Sequence, residues 1–182
     1  MTKRTLVTCF SRDGATAKVA AHLADILHAD VDRIQESAPR NGVSGYVRSA
    51  LEALARGLPA IHTERNPAEY DLVVVGTPVW VGTMSSPVRS YLYLHRQHLH
   101  DVAFFAVMGG RGGNETLAEM RVASGFPNAR GRTFTQREVE RGAYVGRASL
   151  FAASIEERLK DARPSMEPVR EPLDFRPLPV GT

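Results

Sequence analysis

The sequence predicts an α/β fold in which a parallel β-sheet is covered by helices on both faces. Apolar runs typical of strands, TLVTCF, DLVVVG and VAFFAVM, are each followed by a short polar or glycine-rich segment and then by a helical pattern. Strand and helix alternate five times along the chain, which is typical of a doubly wound sheet. Loops after parallel strands converge at the carboxyl edge of the sheet, where α/β folds bind ligands, so we expect a binding site there.

Two units of strand and helix are predicted in the first part of the chain. A strand is predicted from Arg4 to Phe10, and apolar residues at helical spacing predict a helix from Ala15 to His28. Val31 to Ile34 is a short second strand. A polar segment then leads to a helix predicted from Ser44 to Arg56, which a glycine and a proline end.

The third predicted strand, Leu72 to Val75, is the clearest, because a leucine and three valines follow one another without polar alternation. Such a run is expected where both faces of a strand are covered. A helix is predicted from Ser86 to His98, with Pro87 in its first turn, where a missing N–H costs nothing. The remaining predicted elements are a strand from Val102 to Met108, a helix from Glu115 to Ala123, a strand from Gly131 to Val139 and a helix from Tyr144 to Leu159.

Residues 1–163 are predicted to form one domain, and residues 164–182 a proline-rich tail. Five of the 11 prolines lie in this tail, and no helical period is present there. We expect the tail to be extended and either to lie on the surface or to reach a partner subunit, which makes a homodimer one alternative.

Composition is that of an ordinary globular protein, with 43% hydrophobic and 24% charged residues. The apolar stretch near the N-terminus is too short for a signal peptide, and no run reaches the length of a membrane span. We therefore expect a cytoplasmic protein with no membrane partner. The net charge of +3 comes from interspersed charges, so we expect no nucleic-acid partner.

The single cysteine and the histidine cluster are both open to two interpretations. Cys9 excludes an intramolecular disulfide and a cysteine-rich metal site; we expect it to pack as a small apolar side chain, with a reactive thiol as the alternative. His95 and His98 have the spacing of one helical face, where they could bind a metal. Their position at a helix C-terminus, where basic side chains complement the helix dipole, favours a structural role, and we predict no metal site.

The segment SRDGAT, Ser11 to Thr16, joins the first strand to the first helix. Unpaired N–H groups at the start of a helix, a glycine that allows close approach and two hydroxyl side chains together make a phosphate cradle without lysine or metal. The phosphate-binding motif of nucleotide triphosphatases and the GxGxxG dinucleotide motif are both absent. An ordinary capped turn explains this loop alone equally well.

Two further loops favour a planar ligand. After the third strand, the segment GTPVWVGTMSSPV places Trp80, the only tryptophan, in a predicted loop beside Gly82. An exposed indole there could stack on a flat aromatic ring system, whereas a tryptophan of the core is the alternative. After the fourth strand, MGGRGG has four glycines in six residues, and such a backbone can lie against a planar ligand or form a flexible turn.

Taken together, these three motifs resemble those of the flavodoxin family. The resemblance covers roughly Thr5 to Leu159 and is most specific at Gly76 to Val88. It implies a five-stranded parallel sheet of order 2-1-3-4-5 and flavin mononucleotide (FMN) as the ligand. The residues that it implies for the phosphate are Ser11, Arg12, Gly14, Ala15 and Thr16; those that it implies for the isoalloxazine ring are Thr77, Pro78, Val79, Trp80, Gly82 and Thr83 on one side, and Gly109, Gly110, Arg111 and Gly112 on the other.

Asp13 and the overall charge depart from the family pattern. Flavodoxins usually have a neutral residue at the position of Asp13, and a carboxylate beside a dianionic phosphate is unfavourable unless it points away or is neutralised by Arg12. The family's shuttle proteins are typically acidic and dock basic reductases, whereas this chain is basic. A general shuttle role is therefore disfavoured.

The leading hypothesis is a flavoprotein that binds FMN noncovalently and transfers electrons to or from a redox partner protein or a small-molecule acceptor. No side chain needs to act as an acid or base, because the flavin supplies the redox chemistry. One alternative is an FMN-dependent oxidoreductase that uses NAD(P)H and a quinone-type acceptor. Another is a flavin-free module with the same fold that acts in protein interaction.

Overall fold

The computed structural model describes residues 3–37 and 58–161. Its strands are β1 (Thr5–Cys9), β2 (Asp30–Arg33), β3 (Gln35–Glu36), β4 (Ile61–His62), β5 (Leu72–Trp80), β6 (Thr83–Met84), β7 (Val102–Met108) and β8 (Arg130–Thr135). Its α-helices are α1 (Ala15–Leu27), α2 (Ser86–His95), α3 (Gly113–Ser124), α4 (Gln136–Glu140) and α5 (Val145–Asp161), and a 3₁₀ helix covers Pro67–Glu69.

Five parallel strands form the central sheet in the order β2-β1-β5-β7-β8. When these five parallel strands are numbered in chain order, their order in the sheet is 2-1-3-4-5, as predicted. The predicted doubly wound α/β fold is confirmed. Two short additions lie outside the parallel set. β6 pairs antiparallel with the end of β5, and β3 and β4 form a separate two-stranded sheet.

Two apolar layers cover the sheet, and the middle strand β5 contributes to both. Val73 and Val75 pack on one face, in a cluster that includes residues of α2 and α3, whereas Leu72 and Val74 pack on the other, with residues of α1 and α5. This alternation follows from the strand geometry, because successive side chains point to opposite faces. The unbroken apolar run is therefore explained by burial on both sides.

The prediction of the fifth strand was wrong at its end. β8 stops at Thr135, and Gln136–Glu140 form the short helix α4 instead of strand as far as Val139. Thr135 and Glu138 form a reciprocal capping box, in which the Thr135 hydroxyl accepts from the Glu138 N–H and the Glu138 carboxylate accepts from the Thr135 N–H. This capping, together with the helix-forming glutamine, arginine and glutamates of the segment, ends the strand and starts the helix.

Several other expectations have clear outcomes. Helix α2 carries Pro87 in its first turn as predicted, but it ends at His95 rather than at His98. Cys9 is buried in the core, and burial raises the pKa of its thiol to about 12, so the reactive-thiol alternative is wrong.

The predicted helix from Ser44 to Arg56 and the tail at 164–182 lie outside the described residues. Within the described part of the chain, no helix is long and apolar enough to cross a membrane.

Candidate functional site

The loop between β1 and α1 caps the helix with the chain's own acceptors. Gly14, at the N-cap, has a φ of 90°, in the left-handed region that favours glycine. One Asp13 carboxylate oxygen accepts from the Ala15 N–H at 3.2 Å, and the Ser11 hydroxyl accepts from the Ala17 N–H, also at 3.2 Å. Two of the N–H groups that a phosphate would use are therefore already engaged.

Thr16 in the same turn leaves a polar atom without a partner. Its side chain is 1% exposed, and its hydroxyl has no hydrogen-bond partner among the residues that the structure describes. A buried hydroxyl is normally satisfied, so this unpaired group marks a polar position at the start of α1 that the protein itself does not fill. Gly14 adds room, because a Cβ placed there would meet no atom within 4 Å.

The segment after β5 is a hairpin rather than the predicted loop. β5 continues to Trp80, and a two-residue turn of Val81 and Gly82 leads into β6. Both turn residues have a positive φ, 51° and 79°, which is the pattern of a type I′ turn and is strained for a β-branched valine. Val81 is fully exposed at the tip of the hairpin.

Trp80 is half-buried at the end of β5, so the expectation of an exposed loop indole was wrong. Its ring meets Phe10 edge to face, with 5.6 Å between the ring centroids. Phe10 directly follows β1. The aromatic contact thus links the hairpin to the loop that holds the start of α1.

The opposite side of the hairpin contacts the loop after β7. A Cβ placed on Gly112 would lie 2.6 Å from the Gly82 Cα, so the two backbones approach closely because residue 112 is glycine. The Thr116 hydroxyl donates to the Gly112 carbonyl at 2.7 Å and also lies 3.4 Å from the Gly82 carbonyl. Helix α3 begins at Gly113, two residues earlier than predicted.

The hydroxyls of the two predicted threonines of this segment are engaged with the protein. Thr77 is fully buried, and its hydroxyl accepts from the Ser85 N–H at 3.0 Å, which ties β5 to the residue that caps α2. The Thr83 hydroxyl donates to the Glu119 carboxylate and accepts from Arg89 at 2.9 Å. Sequence reasoning missed Arg89 and Glu119, because Arg89 contacts Thr83 only together with Glu119, which lies 36 residues from Thr83 along the chain.

The remaining predicted residues lie at the same edge of the sheet. Gly109, Gly110 and Arg111 are exposed in the loop after β7, and a Cβ placed on either of these glycines would meet no atom within 4 Å. Arg12 is exposed beside the start of α1, and Pro78 and Val79 are half-buried in β5. The order β1-β5-β7 thus brings the three predicted loops together around the hairpin.

His95 was expected to complement the helix dipole as a basic side chain at the end of α2, but its surroundings favour the neutral form. Its ring packs against Tyr91 with 4.7 Å between the centroids, and burial lowers its pKa to about 4, with the nearby His98 as a second cause. His95 is therefore neutral near pH 7. In residues 3–37 and 58–161, no group of three or more His, Cys, Asp or Glu side chains is placed to hold a metal ion.

Comparison with known families settles where this fold belongs. The family model described as Flavodoxin matches residues 4–133. The chain belongs to the flavodoxin family. This assignment agrees with the strand order and with the positions of the three loops that carry the family motifs.

Solved structures with this flavodoxin fold include several flavoproteins. A flavoprotein from Lactobacillus acidophilus in complex with FMN is 23% identical, with a TM-score of 0.57, over 76% of this chain and 97% of the other. An NADH:FMN oxidoreductase in its apo form is 17% identical, with a TM-score of 0.56, over 92% and 94%. A flavodoxin, WrbA-like protein from Agrobacterium tumefaciens is 17% identical, with a TM-score of 0.51, over 84% and 98%. No curated protein matches the sequence significantly.

Proposed function

We propose that this flavodoxin-family protein binds FMN noncovalently at the carboxyl edge of its sheet and transfers electrons to or from a redox partner. The observation that carries the proposal is the convergence of three features at this edge: the start of α1, the Trp80 hairpin and the open glycine loop after β7. Several flavoproteins share the fold, and one of them was crystallised with FMN.

The residues at the edge fit a phosphate and a planar ring. The buried, unpartnered Thr16 hydroxyl and the open space at Gly14 would serve the phosphate at the positive end of α1. The indole of Trp80 and the exposed backbone of Gly109 and Gly110 would border the ring. When bound, FMN supplies the one- or two-electron chemistry, so the protein's own groups need only hold and shield it.

A fluorescence titration tests the binding directly, because Trp80 is the only tryptophan. Adding FMN to the flavin-free protein is expected to quench the tryptophan emission in a saturable way. The Trp80→Phe variant should still bind FMN but lose this emission, and binding can then be followed by flavin fluorescence. If neither signal saturates with the folded wild-type protein, the proposal is wrong and the flavin-free alternative is supported.

A second experiment separates an electron carrier from a reductase that uses NAD(P)H. The FMN-loaded protein is mixed with NADH or NADPH and a quinone, and loss of absorbance at 340 nm is followed. A carrier should oxidise almost no nicotinamide without a partner protein, whereas a reductase should sustain turnover. We favour the carrier, and steady turnover by the protein alone would overturn that choice.

A further inference from the structure

We propose that Glu119 is a positioning residue that fixes the β5–β6 hairpin, and with it Trp80, beside the flavin site. The inference rests on the proposed function for its ligand. The contacts themselves belong to the protein alone, so they can be tested without flavin. Glu119 lies on α3, the helix that directly follows the glycine loop on the other side of the site.

The Glu119 carboxylate makes three polar contacts, two to β6 and one to Arg89 on α2. One oxygen forms an ion pair with Arg89 at 2.6 Å. The other oxygen accepts from the Thr83 hydroxyl and from the Met84 N–H, the latter at 3.0 Å. Arg89 also donates to the Thr83 hydroxyl at 2.9 Å, which closes the network. Every member contacts at least two others or the backbone, and hydrogen bonds to charged groups are stronger than neutral ones.

Helix α3 holds the hairpin at a second point. Thr116 lies three residues before Glu119, on the same face of the helix. Its hydroxyl lies between the carbonyls of Gly112 and Gly82, so it contacts both the glycine loop and the hairpin turn. α3 therefore links the two walls that we propose for the flavin ring, and it sets their separation.

The hairpin needs such support because only two residue pairs join its strands. β6 pairs with β5 only through Val79 with Met84 and Trp80 with Thr83. A two-stranded ribbon of this length is not stable by itself. Since Thr83 is the direct ladder partner of Trp80, a contact that fixes Thr83 also fixes the backbone that carries the indole.

Glu119→Ala should weaken FMN binding about tenfold, because it removes the charge-assisted contacts that orient the stacking residue Trp80. Glu119→Gln keeps an oxygen that can accept from Met84 and should restore part of the affinity. Glu115→Ala is the matched control, since Glu115 is an exposed carboxylate on the same helix and nearer the site. An equal loss of FMN affinity in Glu115→Ala would overturn the inference, because the loss would then come from removing a negative charge on α3 and not from releasing the hairpin.

A double-mutant cycle separates positioning from general destabilisation. If Glu119 acts through Trp80, Glu119→Ala should have little further effect on FMN affinity in the Trp80→Ala protein. Additive losses would show that Glu119 does not act through Trp80 and would overturn the inference. Thermal melts of each variant establish that the comparison is made between folded proteins.

Hydrogen exchange on the flavin-free protein tests the same idea without a ligand. Exchange of the Met84 amide should accelerate at least about tenfold in Glu119→Ala and remain unchanged in Glu115→Ala, because only the former loses the acceptor of that N–H. Unchanged Met84 exchange would overturn the inference. Faster exchange in a protein that binds no flavin would support the contact and reject the proposed function.

Discussion

Phe10 and Trp80 meet edge to face, with 5.6 Å between their ring centroids and 88° between their planes. One residue follows β1 and the other ends β5, so the pair joins the two central loops of the site. Aromatic pairs of this geometry contribute about 0.5–1.5 kcal/mol beyond their buried area. Phe10→Ala should therefore weaken FMN binding by about threefold to tenfold in a flavin-fluorescence titration. Phe10→Tyr keeps the ring and should bind like the wild type; an equal loss in both variants would contradict this role.

Asp13 should lower the affinity for a phosphate-bearing flavin. Its carboxylate occupies the Ala15 N–H and places a negative charge beside the expected dianion. Asp13→Asn keeps an oxygen acceptor and removes the charge, so FMN affinity should rise about tenfold while riboflavin affinity stays constant. Isothermal titration with both flavins measures the ratio. Asp25→Asn, an exposed position near the far end of α1, makes the same charge change and should leave the ratio unaltered. No change in the ratio for Asp13→Asn would refute the prediction.

Arg111 is exposed in the loop after β7, where we expect it to lie near the pyrimidine end of the flavin ring. A positive charge there stabilises an anionic reduced flavin. Arg111→Ala should make the midpoint potential more negative, as measured by spectroelectrochemical titration of the FMN-loaded protein. Arg111→Lys retains the charge and should stay near the wild-type value. An unchanged potential in the alanine variant would remove Arg111 from this role.

Gly76 permits the close approach of β5 and the Phe105 ring on the neighbouring strand. A Cβ at this position would lie only 2.0 Å from the Phe105 ring, which is fully buried. Gly76→Ala should therefore lower the free energy of unfolding by about 1–3 kcal/mol, the usual range for overpacking. Gly146→Ala is the control, because a Cβ there meets no atom within 4 Å and lies in α5. Urea denaturation should show that the control is neutral or slightly more stable; similar losses in the two variants would count against the steric explanation.

His95 should make stability depend on pH. Because its pKa falls from 6.5 in the unfolded chain to about 4 in the folded protein, the unfolded state binds more protons between these values. Its contribution is fully present above pH 6.5 and is lost as the pH falls towards 4. With allowance for its partial exposure, we expect a loss of about 1–2 kcal/mol between pH 7 and pH 5. Urea melts of the wild type and His95→Gln at both pH values give the difference, and equal pH slopes would contradict it.

Local sequence signals predicted the parallel sheet because β5 and β7 are apolar runs. Such runs are expected where a strand is buried on both faces. The prediction failed after Thr135, where the alternation was followed too far into a capped helix made largely of good helix formers. Local signals also failed to predict that β5 continues to Trp80. The turn at Val81 and Gly82 is not a common hairpin sequence, since valine disfavours a positive φ.

The convergence of the three loops was predictable, but the contacts within and between them were not. The three loops could be placed at one edge because each follows a strand of a parallel sheet. Which hydroxyls face the ligand depends on partners from other elements. The Thr83 hydroxyl is engaged by Arg89 and Glu119, and nothing in the segment around Thr83 reveals this. Such contacts depend on how two helices pack beside a hairpin, which local periodicity does not encode.

The burial of the single cysteine has a practical consequence for anyone who wishes to attach this protein to a surface or a dye. Because the thiol of Cys9 stays protonated and enclosed at neutral pH, maleimide reagents should leave the native chain untouched. A cysteine introduced at the tip position, Val81, would then be the sole attachment point. Immobilising the protein on an electrode through that position would place the linker next to the proposed redox centre.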